Sequence, residues 1–393
     1  VAVEAHLLPS LFPSQTPDFF IYRSGAVLAL RGESPYAAEK VRAMVAEQFP
    51  NDREMLENSG YFLPPQTLLI YAPFAAMPYP AAKVAWGVLL VVCAAAVLLM
   101  LRSFGTRWPS SATEQWLPVV ILLNYLTLAI VELGQTSFLF VGCVAAGQWC
   151  FEGSRSHVGR SRLRSNLWEA AGVLLWAIPF IKPHVAISLL PLAWYLGGWR
   201  RAAAILAVVA GLNVAGCLMI GRSPLFLVEY VQYLGANHKR VVFNRVEVSP
   251  TITSWNRLVF SLGGPLVELG AVGTLASYLV WFGLAAGRVS LTRDLPSPAW
   301  AAAVAGVGGV FCAQVLVYEL LVLVLVIPWL RMLFEHGYRV HGWLAVAALC
   351  LELIPVRTMS QFGVTFHPAL GVALLAGLVL TGPMFADRQK QID

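Results

Sequence analysis

The sequence predicts an all-α polytopic membrane protein, and three observations carry that fold class. Charged residues make up 12% of the 393, about half the roughly 25% of an ordinary soluble domain. The apolar fraction is 58% with a mean hydropathy of +0.69, and uncharged runs recur at lengths that a bilayer selects. The basic residues fall in short clusters between those runs, where they orient helices. The formal charge of +6 is therefore read as membrane topology and not as nucleic-acid binding.

Taken in order, residues 1–83 form a head with no apolar run of spanning length and no signal-peptide pattern. The chain begins with Val1 and not Met, so a first transmembrane helix is expected to be missing from it. Within the head, Phe19–Leu30 spaces apolar residues as an amphipathic helix that ends at Arg31-Gly32. Ala37–Phe49 predicts a polar helix on the surface. Gly60-Tyr-Phe-Leu-Pro-Pro65 turns the chain, and Thr67–Met77, interrupted by Pro73, is too short to span and predicts a re-entrant or interfacial segment.

Apolar runs follow at 84–101, 117–131, 137–151, 167–181, 184–198, 201–220, 264–287, 298–313, 316–333, 342–355 and 367–386. They predict about eleven transmembrane segments. The chain divides into the 1–83 head, an 84–220 transmembrane core, a 221–263 basic outer loop and a 264–393 transmembrane bundle. The clusters Arg102/Arg107, Arg155/Arg160/Arg162/Arg164, Arg200/Arg201, Arg288/Arg293, Arg331/Arg339 and Arg388/Lys390 alternate onto one side. The positive-inside rule makes that side cytoplasmic. The opposite loops then hold 1–83, 132–135, 182–184, 221–263, 312–314 and 355–367. Loop 221–263 breaks the charge rule with His238, Lys239, Arg240, Arg245 and Arg257. An anionic ligand such as a phosphate explains this, as does the exemption of long translocated loops.

Charges at membrane depth cost roughly 2.5–3.5 kcal/mol on insertion scales and mark function or helix pairing. Glu132, Lys182 and Glu319 all approach the outer face. Gly134 is placed to break a helix and turn Gln135 into a cavity. Lys182, before Pro183, reads either as a headgroup-seeking lysine or as a phosphate ligand, and Glu319 either as an interhelical salt bridge or as a site residue. Asp18 reads either as an N-cap or as a lone carboxylate beside the bilayer suited to chemistry on a lipid-borne substrate. No Walker A, H-E-x-x-H, G-x-S-x-G or D-x-D motif is present. The six cysteines lie in or beside apolar runs without a C-x-x-C pair and read as small buried hydrophobes. No metal site and no cofactor is expected.

Several segments resemble one family in register. They are Asp18-x-x-x-Tyr22, Leu30-Arg-Gly-Glu-Ser-Pro-Tyr36, Pro64-Pro65, Leu133-Gly-Gln135, Ile181-Lys-Pro183, Ser254-Trp-Asn-Arg257 and Tyr318-Glu-Leu320. Together they are similar to glycosyltransferase family 87, polyprenyl-phosphate-mannose-dependent enzymes of the GT-C superfamily. Thr136 stands where many members carry Asn, and Phe311-Cys-Ala-Gln314 departs from a Ser-Pro-His pattern. The resemblance implies a GT-C-type bundle and an inverting transfer of a hexose, most simply mannose. The donor would be a polyprenyl-phosphate sugar and the acceptor a lipid or glycan outside the plasma membrane, with membrane lipids as further partners and no nucleic acid. It also implies that Asp18 is the base. Lys182, His238, Lys239, Arg240 and Arg357 are expected at the donor phosphate. Tyr22, Glu132, Gln135, His184, Gln314, Tyr318 and Glu319 are expected around the sugar or acceptor. A lipid-sugar flippase or a non-catalytic scaffold of glycan assembly are the rival readings.

Overall fold

The computed structural model describes residues 17–51, 59–103, 125–156, 162–237, 245–292, 295–362, 364 and 366–385. Helices α1 (Pro17–Leu30), α2 (Ala38–Gln48) and α3 (Gln66–Ala75) build the head. The core follows as α4 (Tyr79–Ser103), α5 (Tyr125–Leu133), α6 (Ser137–Ser156) and α7 (Arg162–Ala177). It continues through a 3-10 turn at Ile178–Ile181, α8 (Pro183–Ala186) and α9 (Leu189–Met219). After α10 (Phe226–Asn237) and α11 (Trp255–Ser261) come α12 (Ala271–Thr292) and α13 (Pro298–Phe311). A 3-10 stretch at Val317–Val326, α14 (Ile327–Glu335), α15 (Arg339–Leu353), α16 (Val356–Ser360) and α17 (His367–Thr381) complete it. Among the described residues no strand occurs beyond an isolated bridge of Ile252 to Leu316. The all-α polytopic class is therefore correct.

Among the described residues four stretches are long and apolar enough to cross a bilayer: Tyr79–Val97, Leu189–Met219, Ala271–Thr292 and Val317–Glu335. Pro298–Phe311 and His367–Thr381 are shorter apolar helices. Some predicted runs prove broken. The run 184–198 breaks between α8 and α9 at Ile187–Ser188, and α9 then joins it to 201–220 across Gly198, whose φ of 76° interrupts the helix. The run 316–333 begins as a ten-residue 3-10 helix before α14, although such stretches seldom exceed four residues. The glycines of α13 allow close packing: a Cβ at Gly306, Gly308 or Gly309 would press on Leu325, Trp281 or Ser188.

One expectation for the head needs correcting. The Phe19–Leu30 pattern predicts one apolar face, yet α1 is buried on nearly every side, Ser24 and Gly25 included. Its neighbours explain this. Phe19 stacks on Trp86 of α4 with centroids 5.3 Å apart, and Tyr22 meets Tyr71 of α3 at 5.6 Å. Arg23 spends its guanidinium on the carbonyls of Phe74 and Met77, at 3.0 and 2.5 Å, where the end of α3 favours a cation. The chain from α9 crosses the start of α3 so closely that a Cβ at Gly216 would collide with the Pro65 carbonyl. Asn213 holds Gln66 there at 3.2 Å. Helix α2 buries only Val41 and Val45, as a surface helix should.

Bonds join the ends of these segments in two sets. Arg155 donates to Leu196 O, Arg201 forks onto Glu169 at 2.8 and 3.0 Å, and Arg288 reaches the carbonyls of Val379 and Thr381. These join loops expected on the basic side. At the other set, Tyr36 of the head packs on Phe226 and Tyr230 of the 221–263 loop, and Thr253 N–H bonds Val315 O at 3.0 Å.

Candidate active site

Four segments of the second set converge, and each is bent there by its own sequence. Helix α5 ends on Gly134, φ 69°. The Gly134 N–H bonds Val131 O at 3.1 Å and the Gln135 N–H bonds Ile130 O at 2.9 Å, the paired bonds of a Schellman ending. Trp86 Nε1 takes the Gly134 carbonyl at 3.0 Å. Gln135, Thr136 and Ser137 are left buried at the junction with α6. In the second segment Pro183 occupies the first turn of α8 and keeps Lys182 out of helical geometry, at φ −120° and ψ 73°. The third segment is drawn out at 314–316 by its pairing with Ile252 and Thr253, and the 3-10 helix then starts with Glu319 in its first turn. The fourth is α1, with Pro17 as its first residue and Asp18 next. Asp18 thus lies inside the helix and not at a cap position.

The four segments are tied by one polar chain. Gln135 Nε2 donates to Asp18 Oδ2. Gln135 Oε1 accepts from Lys182 Nζ at 3.1 Å and from the Tyr22 hydroxyl at 3.5 Å. Lys182 Nζ also pairs with Glu319 Oε1 and reaches Ser137 Oγ at 3.4 Å. Ser137 Oγ donates to Glu319 Oε2 at 3.2 Å. The Tyr318 ring lies 5.1 Å from the ammonium, within cation–π range. Lys182 and Glu319 are 4% and 3% exposed, so their charges answer mainly to each other.

Burial pushes the Asp18 carboxyl up to about 6, opposed by the Gln135 hydrogen bond and the Lys182 charge and reinforced by Glu319. Burial, with Asp18 beside it, raises the Tyr22 phenol far above its ordinary range, so Tyr22 stays neutral. A half-buried carboxylate with that affinity is ionised at neutral pH and still basic enough to take a proton in a transition state. Among the described residues its second oxygen, Oδ1, has no hydrogen-bond partner.

The family model of glycosyltransferase family 87 matches residues 61–317, more than half of the chain. The chain belongs to glycosyltransferase family 87. No curated protein and no solved structure matched it. Within this family 87 chain the matched segment includes Gln135, Ser137 and Lys182, while Asp18 precedes it and Glu319 lies just beyond. The placement of Asp18 therefore comes from geometry and not from the match.

Of the residues expected at the site, the structure brings Asp18, Tyr22, Gln135, Lys182, Tyr318 and Glu319 together. Glu132 is exposed on α5 and outside this chain of bonds. His184 is exposed too, and its carbonyl accepts from the Tyr278 hydroxyl at 2.7 Å. Gln314 belongs to a neighbouring cluster, where its Oε1 accepts from Asn256 Nδ2 at 3.3 Å. Arg357 lies on the backbone of α16. His238, Lys239 and Arg240 lie outside the described residues. Ser137 was not anticipated, since a serine that opens a helix reads as a cap.

The turn at Gly134 yields a first prediction for this glycosyltransferase. Gly134→Ala forces a side chain into the left-handed region, at about 1–2 kcal/mol, and moves Gln135. Thermal unfolding in detergent and sugar transfer are expected to fall together.

Proposed function

We propose that this family 87 glycosyltransferase moves a hexose, mannose in the simplest case, from a polyprenyl phosphate to a lipid or glycan acceptor. The reaction would lie on the extracytoplasmic face of the plasma membrane. The acceptor oxygen attacks the anomeric carbon from the face opposite the phosphate, and the carbon–oxygen bond to the phosphate breaks. The electron pair stays on the phosphate and the acceptor proton passes to Asp18. The transition state is oxocarbenium-like, by analogy with glycoside hydrolysis. The leaving phosphate is already an anion and needs neutralisation more than a proton. His238, Lys239, Arg240 and Arg357 supply that charge in this reading. Membrane lipids are the surroundings, and no nucleotide is required.

One observation carries the reading: Asp18, with one oxygen unbonded among the described residues and an affinity for protons near neutrality, is held at the convergence of loops that the charge pattern puts outside. The test is transfer of label from radiolabelled polyprenyl-phosphate mannose to a membrane lipid extract by the purified protein. A new labelled glycoside supports the proposal. Labelled donor crossing a vesicle membrane with no new glycoside would replace it with a flippase.

The same carboxyl sets a pH dependence. Its proton is bound below about pH 6, where a base cannot act. kcat/KM is expected to rise tenfold per unit on the acid side and to level off above about 6. A profile flat from pH 5 to 7.5 would remove Asp18 from the role.

A further inference from the structure

We infer that Lys182 and Glu319 act on the reaction through Gln135, as a positioning pair that turns the amide NH2 toward Asp18, and that Lys182 is not a ligand of the donor phosphate. The inference rests on Asp18 being the base. An ammonium only donates, so the Gln135 group facing Lys182 Nζ at 3.1 Å has to be the carbonyl oxygen. An amide has two ends, and Nε2 is then left facing Asp18 Oδ2. Turned over, the amide would set donor against donor at Lys182 and lone pair against carboxylate at Asp18.

The lysine has nothing to spare for a phosphate. Its three N–H groups face three acceptors, on Glu319, Gln135 and Ser137. Ser137 holds the other oxygen of Glu319 at 3.2 Å, which fixes the carboxylate that fixes the lysine. The backbone supports both partners. Pro183 sets Lys182 at the start of α8, and the pairing of 252–253 with 315–316 sets the segment before Glu319. The result is that Gln135 occupies one oxygen of Asp18 and leaves the other for the acceptor hydroxyl.

Kinetics on two variants separate positioning from phosphate binding. Among the described residues the titratable groups facing Asp18 are Lys182, Glu319 and the phenols of Tyr22, Tyr71 and Tyr318. Glu319→Gln keeps an acceptor for the ammonium and removes a negative charge. The acid limb of kcat/KM is expected to move down by about half a pH unit or more, with donor KM within about twofold of wild type. Lys182→Met is expected to move that limb upward and to lower kcat more than about tenfold, again with little change in donor KM. A rise of about tenfold or more in donor KM for Lys182→Met, or an unmoved limb in Glu319→Gln, overturns the inference. Glu319→Gln decides alone should Lys182→Met not fold. Transfer that survives Asp18→Asn would sink the base beneath the inference. A dead Asp18→Asn beside an unmoved Glu319→Gln limb would sink only the pair's role.

Discussion

Asp18→Asn is expected to reduce transfer by about 10²–10⁴-fold, the usual worth of a positioned base, without loss of thermal stability. The two halves of this result have one physical origin. The folded carboxyl holds its proton up to about pH 6, against about 3.9 for an aspartate in an unfolded chain. Between those values the folded state binds a proton that the unfolded state does not. Stability therefore declines as pH rises through the window, and above it the ionised carboxylate is a net cost. Asparagine removes the charge but keeps an oxygen that can accept from Gln135 Nε2. At pH 7.5 the variant should melt at the same temperature as wild type or higher, a trade of stability against activity common at catalytic groups. Transfer assays and unfolding in the same detergent check both halves. An inactive variant that also unfolds early would make Asp18 a structural residue.

The residues of the site were legible to the extent that they were expensive. Asp18, Lys182 and Glu319 stand out because charge is rare in this chain and costly at depth, and Gln135 because it follows a glycine able to end a helix. Their mutual contact was not legible. Residues 117 and 137 positions apart in sequence meet only through the packing of α1, the α5–α6 junction, the start of α8 and the 3-10 stretch. The family model reached Gln135 and Lys182 but not Asp18. Local periodicity also misjudged α1. Tyr22, Arg23 and Ser24 look like a solvent face until α3 and α4 are known to cover them. The run from 316 reads as a single apolar segment, because an all-apolar sequence gives no sign of which helical form will bury it. The pairing of Ile252 with Leu316, far away in sequence, sets that start.

Breaking the buried pair at Lys182 should cost more stability than any other substitution at the site. Lys182→Met leaves Glu319 ionised without its partner or forces it to take up a proton, and removal of one member of a buried pair costs about 3–5 kcal/mol. Lys182→Met/Glu319→Leu removes both charges and restores apolar packing. Its unfolding midpoint in detergent should return most of the way to wild type, since a paired buried charge contributes little net stability over a good apolar contact. Transfer should not return with it. Gln135 would have lost the cation that orients its carbonyl, keeping the longer Tyr22 hydroxyl bond at 3.5 Å, and its amide would hold Asp18 less firmly. Recovery of stability without recovery of turnover separates what the pair does for the fold from what it does for the base. If each single variant lost stability and the double lost the sum, the two side chains would be independent. The ammonium and carboxylate would then have no common task.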